Sequence, residues 1–472
     1  MRKFSQMDWR RILSTVFAIG LASVVAGAQT PSPTPRPSPT VPVLATSSLP
    51  PIVVPDSVRA NDAAQSISLA SAVDLALGQA SALKTAQLSE QIAREDVTQA
   101  NAAFLPKISA PLNFIYTSPS LGPTRPRPPS FLGANAITEY QALLNAAGEI
   151  DTSGKLIATL RKNRALVESA AAGSEIARRD LIQAVTEAYF NLALSKAKRR
   201  GAEANLQIAQ AFENNVRLNL EAGEVAPVDL VRARLQTTAR EDELAQAIAE
   251  ESVNADGLRV FVGVAFADPI NVDDLLLMAP SAGEIERYVD TAMSTRPELL
   301  QIDADRRAAS FDLAAAKAER RPQLTYSISS GFISDSLRGG RIKDQSGVQA
   351  TIGFTIPIFD WGASRSRETQ ARLKMQQQDN LRELTERQFA QAFNSARTQA
   401  ILARDRIRRL AASLIDAQAN VNSSNARYRA GEAPITEAVD AQNLLITTRQ
   451  AYYQALFDYQ LAKARLARAA GQ

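Results

Sequence analysis

Leu220-Glu-Ala-Gly-Glu-Val-Ala-Pro-Val-Asp-Leu230 and Tyr428-Arg-Ala-Gly-Glu-Ala-Pro-Ile-Thr-Glu-Ala438 are two versions of one helical hairpin turn. In each, a glycine ends one helix and a proline shortly afterwards begins the next. The glycines, Gly223 and Gly431, lie 208 residues apart (431 − 223). A repeat of this size indicates a duplicated unit with internal pseudo-symmetry.

Other features recur around these turns. A proline closes a helix and opens a strand at Pro106 and again at Pro322. A strand-to-helix corner follows in each copy, and its aspartate is placed to cap the next helix; the corners are Ile150-Asp151-Thr-Ser-Gly154 and Phe359-Asp360-Trp-Gly362. The predicted order is helix, two strands, very long helix, turn and helix, once in residues 66–283 and again in residues 284–472.

Two stretches without proline, residues 155–221 and 363–429, predict the very long helices. At about 1.5 Å per residue, each would be roughly 100 Å long. Apolar residues in the second stretch recur in steps of four and three, as in a left-handed coiled coil; they are Phe389, Phe393, Ala396, Ala400, Ala403, Ile407, Leu410, Leu414, Ala417 and Val421. The first stretch repeats this pattern less regularly, with Arg199 and Glu213 in the apolar seam. Either these polar residues set the register or the helix meets a different neighbour there.

Four segments alternate polar and apolar residues and predict strands at about 107–116, 139–150, 323–333 and 348–358. Each has the length of a tilted strand that crosses a bilayer, with one apolar face. Four strands cannot close a barrel, so membrane insertion would require several copies of the chain. The alternative is a pair of amphipathic hairpins packed on a soluble core.

The N-terminus predicts export. A basic segment up to Arg10-Arg11, an apolar run over residues 12–25 and Ala26-Gly27-Ala28 are typical of a signal peptide, residues 1–28. A transmembrane anchor is the alternative. Residues 29–65 follow as a tether rich in Pro, Ser and Thr. The chain contains no cysteine, which excludes disulfides and a lipid-bearing cysteine.

Composition argues against several functions. Without His or Cys, most nucleophilic triads and common zinc sites cannot form, and we expect no enzymatic activity, no cofactor and no metal site. The formal net charge of +4 is small for 472 residues, and basic and acidic residues interleave along the helices. This pattern is typical of solvated helical faces and does not indicate nucleic-acid binding.

Several motifs together resemble the TolC family of outer-membrane efflux proteins, from residue 66 to the end of the chain. They are Leu69-Ala-Ser-Ala-Val-Asp-Leu-Ala-Leu77, Ala103-Phe-Leu-Pro106, Ile356-Pro-Ile-Phe-Asp-Trp-Gly362, Tyr428-Arg-Ala-Gly431 and Val439-Asp-Ala-Gln442. The resemblance implies a mainly α fold with a small β part. It implies a homotrimer whose strands form one twelve-stranded barrel in the outer membrane, continued by a helical tunnel into the periplasm.

The resemblance also implies a function, that of a passive export channel of a tripartite efflux or type I secretion system. Its tip turns would dock a periplasmic adaptor joined to an inner-membrane pump of the RND or ABC type. The docking residues would be Gly223, Glu224, Pro227, Gly431, Glu432 and Pro434.

Two acids after the second turn, Glu437 and Asp440, match acids that narrow the periplasmic entrance of TolC. A basic tip residue of TolC is replaced here by Ala433, which leaves the salt bridge made there without its partner. A ring of carboxylates in a narrow opening would favour cations. The alternative role of these acids is to complement the dipole of the helix that begins beside them.

One function of another class fits part of the pattern, a soluble periplasmic coiled-coil scaffold. A scaffold would account for the heptad pattern and the tether, but it would not explain why the predicted strands have one apolar and one polar face. Within the export function, small toxic compounds, metal ions and unfolded proteins all remain open as cargo.

Overall fold

The computed structural model describes residues 54–121, 137–281, 283–288 and 295–471. The predicted signal peptide and most of the predicted tether lie outside these residues. Helices make up most of the described chain: α1 (Asp56–Ala63), α2 (Leu69–Leu77), α3 (Ala82–Ala102), α4 (Lys155–Glu221), α5 (Pro227–Val262), α6 (Pro297–Ala318), α7 (Gly339–Asp344), α8 (Ala363–Arg429) and α9 (Ile435–Ala469). The strands are β1 (Lys107–Ser109), β2 (Leu112–Tyr116), β3 (Thr138–Ile150), β4 (Gln323–Ser334) and β5 (Ser346–Thr355).

The long helices α4 and α8 have the bounds of the two proline-free stretches, with 67 residues each. Each forms an antiparallel hairpin with the helix that follows it, α4 with α5 and α8 with α9. Helix α3 packs on α4, and α6 packs on both α4 and α8. The order predicted for each copy is therefore observed twice, and no helix among the described residues is both long and apolar enough to span a bilayer.

The apolar residues that recur in steps of four and three along α8 are shielded from solvent, as expected for the contact face of a coiled coil. None of its ten apolar positions is exposed, and small residues such as Ala400 and Ala403 are buried against neighbouring helices. Small side chains let helix backbones approach closely and still exclude water from the seam. The largest core cluster lies where the hairpins meet the preceding helices and includes Tyr189, Leu258 and Leu456.

The strands form one antiparallel sheet. Both β1 and β2 pair with the same edge of β3, which pairs with β4, and β4 pairs with β5. The first predicted strand, residues 107–116, is thus interrupted, because Pro111 has no N–H group to donate to the ladder. The last strand ends at Thr355 and not at residue 358, just before the Ile356-Pro357 step.

One part of the predicted tether is wrong. Residues 56–63 form helix α1, whose Val58 is buried. The Asn61 side chain accepts a hydrogen bond from the backbone N–H of Ile270, at 2.9 Å, and another from Arg259, at 3.1 Å. These tertiary contacts stabilise a helix that is too short to form alone.

Arg199, in the seam of α4, is a fully buried cation. Its guanidinium donates hydrogen bonds to Asp62 in α1 (2.6 Å), to Glu203 (2.7 Å) and to Glu251 in α5. Burial opposes its charge, but the bond to Glu251 and the neighbouring carboxylates raise the pKa of Arg199 above its ordinary value. Arg199 therefore marks the point where α4 meets α1 as well as α5.

Replacing Arg199 should be far more damaging than replacing its exposed neighbour. Arg199→Ala leaves Glu251 buried without its cation, and we expect a loss of about 3–5 kcal/mol in the free energy of unfolding. Arg200→Ala, which removes a half-exposed arginine paired with Asp62 and Asp274, should cost at most about 1 kcal/mol. Denaturant unfolding followed by circular dichroism measures both, and equal losses would contradict this account of Arg199.

Candidate functional site

The sheet has one apolar and one polar face. In the observed register, even-numbered residues of one strand lie opposite even-numbered residues of the next, so they share a face across the whole sheet. That face carries the large apolar side chains, most of them exposed: Ile108, Leu112, Phe114, Tyr116, Leu144, Ile328, Val348, Ile352 and Phe354. The other face carries mainly Gln, Asn, Ser, Thr and Gly. The described residues of the single chain do not cover this apolar face.

The sheet also has two free edges. Among the described residues, β1 and β2 on one side pair only with β3, and β5 on the other side pairs only with β4. Because every pairing is antiparallel and the interrupted β1 and β2 count as one strand, the two edges run in opposite directions. Copies joined edge to edge would therefore continue the antiparallel sheet without a break.

The two tip turns, residues 222–227 and 430–434, have the same backbone geometry. Gly223 and Gly431 have φ of 77° and 72°, a conformation that glycine adopts without strain. The next N–H, of Glu224 or Glu432, donates to the carbonyl of Asn219 or Arg427 at 2.9 Å, and each glycine N–H donates to a carbonyl three residues back. These are Schellman motifs, which end helices at a glycine.

After the turns, the two copies differ by one residue. Pro227 is the first residue of α5, whereas Pro434 directly precedes α9 and occupies its N-cap position. Glu224, Glu432 and both prolines are exposed at the ends of the hairpins. The six residues predicted to dock an adaptor thus all lie on the hairpin tips, within reach of solvent.

The predicted entrance acids have different surroundings. Glu437, in the first turn of α9, accepts a hydrogen bond from Arg427 of α8 at 2.5 Å. Asp440 lies one turn further on, is exposed, and its carboxylate contacts no hydrogen-bond or ion-pair partner within the described ranges. Since dipole effects fade beyond the first turn, the dipole alternative accounts for Glu437 better than for Asp440. Arg427 is thus the basic partner of Glu437, whereas Ala433 carries no charge.

Asp440 lines a groove of about 370 Å³ between α5 and α9. Arg232 and Arg240 line the same groove, which offsets part of the negative charge of Asp440. Glu437 and Asp440 therefore both lie close to arginines of the same chain.

Polar contacts join the two hairpins just beyond the tips. The buried Gln236 of α5 donates to Gln442 of α9 at 2.8 Å, and Arg240 donates to Asn443 at 2.7 Å. Phe212 and Tyr428 add a ring contact with centroids 5.6 Å apart. Sequence reasoning missed these pairs, because nothing local in either helix indicates a partner about 200 residues away.

The strand-to-helix corners are capped as predicted. The Asp151 carboxylate accepts from the N–H of Ile157 at 2.9 Å, and the Asp360 carboxylate accepts from the N–H of Ser364 at 2.7 Å. Gly154 and Gly362 precede α4 and α8 with φ of 84° and 85°. Hydrogen bonds from the Ser364 side chain and backbone lower the pKa of Asp360 below its ordinary value.

No cluster of three or more Asp or Glu side chains in the described part of the chain is placed to hold a metal ion. The chemical features of the site are thus an apolar sheet face, two free strand edges, two hairpin tips and a pair of tip acids.

Comparison with known proteins agrees with this geometry. The sequence matches the family described as Outer membrane efflux protein over residues 72–263 and 288–472. It is 26% identical to the protein CyaE of Bordetella pertussis, over 82% of this chain and 81% of CyaE, and 24% identical to the cation efflux system protein CusC of Escherichia coli K12, over 66% and 68% of the two chains.

Among solved structures, the open state of the MtrE outer membrane channel of Neisseria gonorrhoeae has the same fold. The TM-score is 0.70 at 22% identity, and the match covers 85% of this chain and 88% of MtrE. The family match spans both copies of the repeat and most of the chain. The chain therefore belongs to the outer membrane efflux protein family and is an efflux channel of the outer membrane.

Proposed function

We propose that three copies of this chain form the passive export channel of a tripartite efflux or type I secretion system. Their sheets join into one twelve-stranded barrel in the outer membrane, and their long hairpins continue as a tunnel into the periplasm. The observation that carries the proposal is the sheet, with one apolar face and two oppositely directed free edges.

The unpaired edge strands of the sheet support a closed assembly of several copies. Inside a bilayer no water can satisfy the unpaired backbone groups of an edge strand, so an open four-stranded sheet cannot lie there. Joining β5 of one copy to β1 and β2 of the next satisfies both edges, and three copies give twelve strands, an even number as is usual for such barrels. The exposed even-numbered face would contact lipid and the polar face would line the channel.

The length of the helical hairpins supports the proposed tunnel. Helices of 67 residues reach roughly 100 Å from the corners that follow the sheet. The tips then lie far from the membrane, and the proposed partners there are a periplasmic adaptor and, through it, an inner-membrane pump of the RND or ABC type. We further propose that residues 66–283 and 284–472 are the two repeats of the duplicated unit.

The proposed entrance is formed by Glu437 and Asp440 from three copies. Threefold symmetry would bring six carboxylates to one opening, where their combined potential favours cations over anions. Arg427 neutralises part of this charge through its bond to Glu437. A soluble scaffold would need neither these acids at an opening nor an apolar sheet face.

Engineered disulfides test the joining of sheet edges, and the absence of native cysteine makes them unambiguous. Asn113→Cys in β2 is combined in turn with Gln349→Cys or Thr351→Cys in β5. Within one chain these strands are three strand spacings, about 14 Å, apart, so a disulfide can form only between copies. We expect oxidation to give covalent dimers and trimers and nothing larger on denaturing gels.

The matched control pairs Asn113→Cys with Ser329→Cys in the interior strand β4, which has no free edge and should stay monomeric. Monomers from both β2–β5 pairs, or a ladder extending beyond the trimer, would contradict a closed ring of three.

Removing the tip acids should change the selectivity of the channel. In planar bilayers, Glu437→Ala with Asp440→Ala should reduce the preference for cations and weaken block by multivalent cations. Arg427→Ala should act in the opposite direction, because it frees the charge of Glu437.

Asp229→Ala is the control, since Asp229 lies in the first turn of α5 as Glu437 does in α9. It should leave selectivity nearly unchanged. If the double variant keeps the selectivity and cation block of the unmodified channel, Glu437 and Asp440 do not form the entrance.

A further inference from the structure

A cavity of about 280 Å³ lies between α4 and α9, one helix from each of the two proposed repeats. The two helices run antiparallel here, and Leu69 of α2 and Tyr288 complete the wall. All of the lining residues are buried or half-buried, so the cavity belongs to the packed part of the fold. Its volume is close to the lower end of the range for small-molecule pockets, about 300–1,000 Å³.

Small side chains on one helix create this space. Ile182, Thr186 and Phe190 recur in steps of four on the face of α4 that lines the cavity. The facing residues of α9 include Ala464 and Ala467, which fill little of the distance between the two helices. Phe190 is only 4% exposed, so the inner wall is apolar and largely shielded from solvent.

Basic side chains line the rest of the cavity. Arg179 comes from α4, and Lys463 and Arg468 come from α9. Among the described residues that line the cavity, every charged one is basic. The carboxylates that pair with these three cations lie outside the lining; they are Glu175, Glu284 and Asp180. An apolar body and an anionic group would therefore both find complementary surroundings in one cavity.

The three cations differ in how closely they are paired. The Nζ of Lys463 lies 2.7 Å from Glu284, and Arg468 is in close contact with Asp180. The Nε of Arg179, by contrast, lies 3.5 Å from Glu175, whose side chain is 41% exposed. A charged hydrogen bond is normally about 2.7–2.9 Å long. Arg179 is thus the cation that loses least by turning to a bound anion.

We propose that this cavity binds an amphipathic organic anion, a compact apolar body that carries one carboxylate. The apolar body packs against Phe190, Ala464 and Ala467, and the carboxylate accepts hydrogen bonds from the guanidinium of Arg179. Because Arg179 lies in α4 and the alanines lie in α9, the bound anion bridges the two repeats. The site is built within one chain and does not depend on the number of copies in the assembly.

Fluorine NMR with para-trifluoromethylbenzoate tests the site. The full protein is reconstituted in lipid nanodiscs, so that no detergent competes, and empty nanodiscs of the same lipid measure partition into the bilayer. We expect saturable broadening of the fluorine signal beyond that of the empty nanodiscs. The uncharged para-trifluoromethylbenzamide has nearly the same shape and should bind about tenfold more weakly, because it cannot form a charged hydrogen bond.

Two pairs of variants locate the binding. Arg179→Gln should weaken binding of the benzoate about tenfold, whereas Arg178→Gln should not, because Arg178 pairs with the same Glu175 at 3.7 Å but does not line the cavity. Ala464→Leu should abolish binding by filling the cavity. Its control is Ala451→Leu, in the same helix but lining a different groove. Circular dichroism checks that each variant is folded.

Each outcome supports or contradicts the site. Binding that is lost in Arg179→Gln and Ala464→Leu but kept in both controls supports it. Equal binding of the benzoate and the benzamide contradicts the preference for an anion. No saturable binding to the unmodified protein, binding that all four variants retain, or equal losses in Arg178→Gln and Arg179→Gln would show that this cavity is not the site. If Ala464→Leu does not fold, the comparison of Arg179→Gln with Arg178→Gln decides.

Discussion

Unpaired backbone groups at the edges of a sheet are the constraint on which this structure depends. Within the part of the chain that the structure describes, the four-stranded sheet leaves β1 and β2 free on one side and β5 free on the other, while its even-numbered face exposes apolar side chains. Hydrocarbon can cover that face but cannot satisfy the edges. Both needs are met together only if copies of the chain share their edges, so that assembly and membrane insertion are linked.

The long hairpins follow from the same geometry. Each pair of strands leads through a capped corner, at Asp151 or Asp360, into a helix that no proline interrupts for 67 residues. Glycines then reverse the chain at the tips, and the two hairpins pack on one another through contacts such as Phe212 with Tyr428. A duplicated unit thus supplies an even number of strands and two matching hairpins per copy, which suits a closed ring.

Local signals predicted much of this fold. Glycine and proline determined the helix ends, which the structure places at the expected residues, and strand periodicity predicted which faces are apolar. Contacts between residues far apart in the sequence could not be predicted from such local signals. Helix α1 depends on Asn61 meeting Arg259 and Ile270, and the pairing of Gln236 with Gln442 joins residues about 200 apart. Arg427, the partner of Glu437, lies on the preceding helix, where one arginine among many gave no distinguishing signal.

We propose that the working form of this chain is a membrane-inserted ring of three. Native mass spectrometry of protein extracted in detergent from outer membranes of a Gram-negative host measures this most directly. We predict a trimer in that fraction, stable enough to survive gentle removal of the detergent. A monomer or dimer recovered from the soluble periplasm would contradict it and favour a helical scaffold.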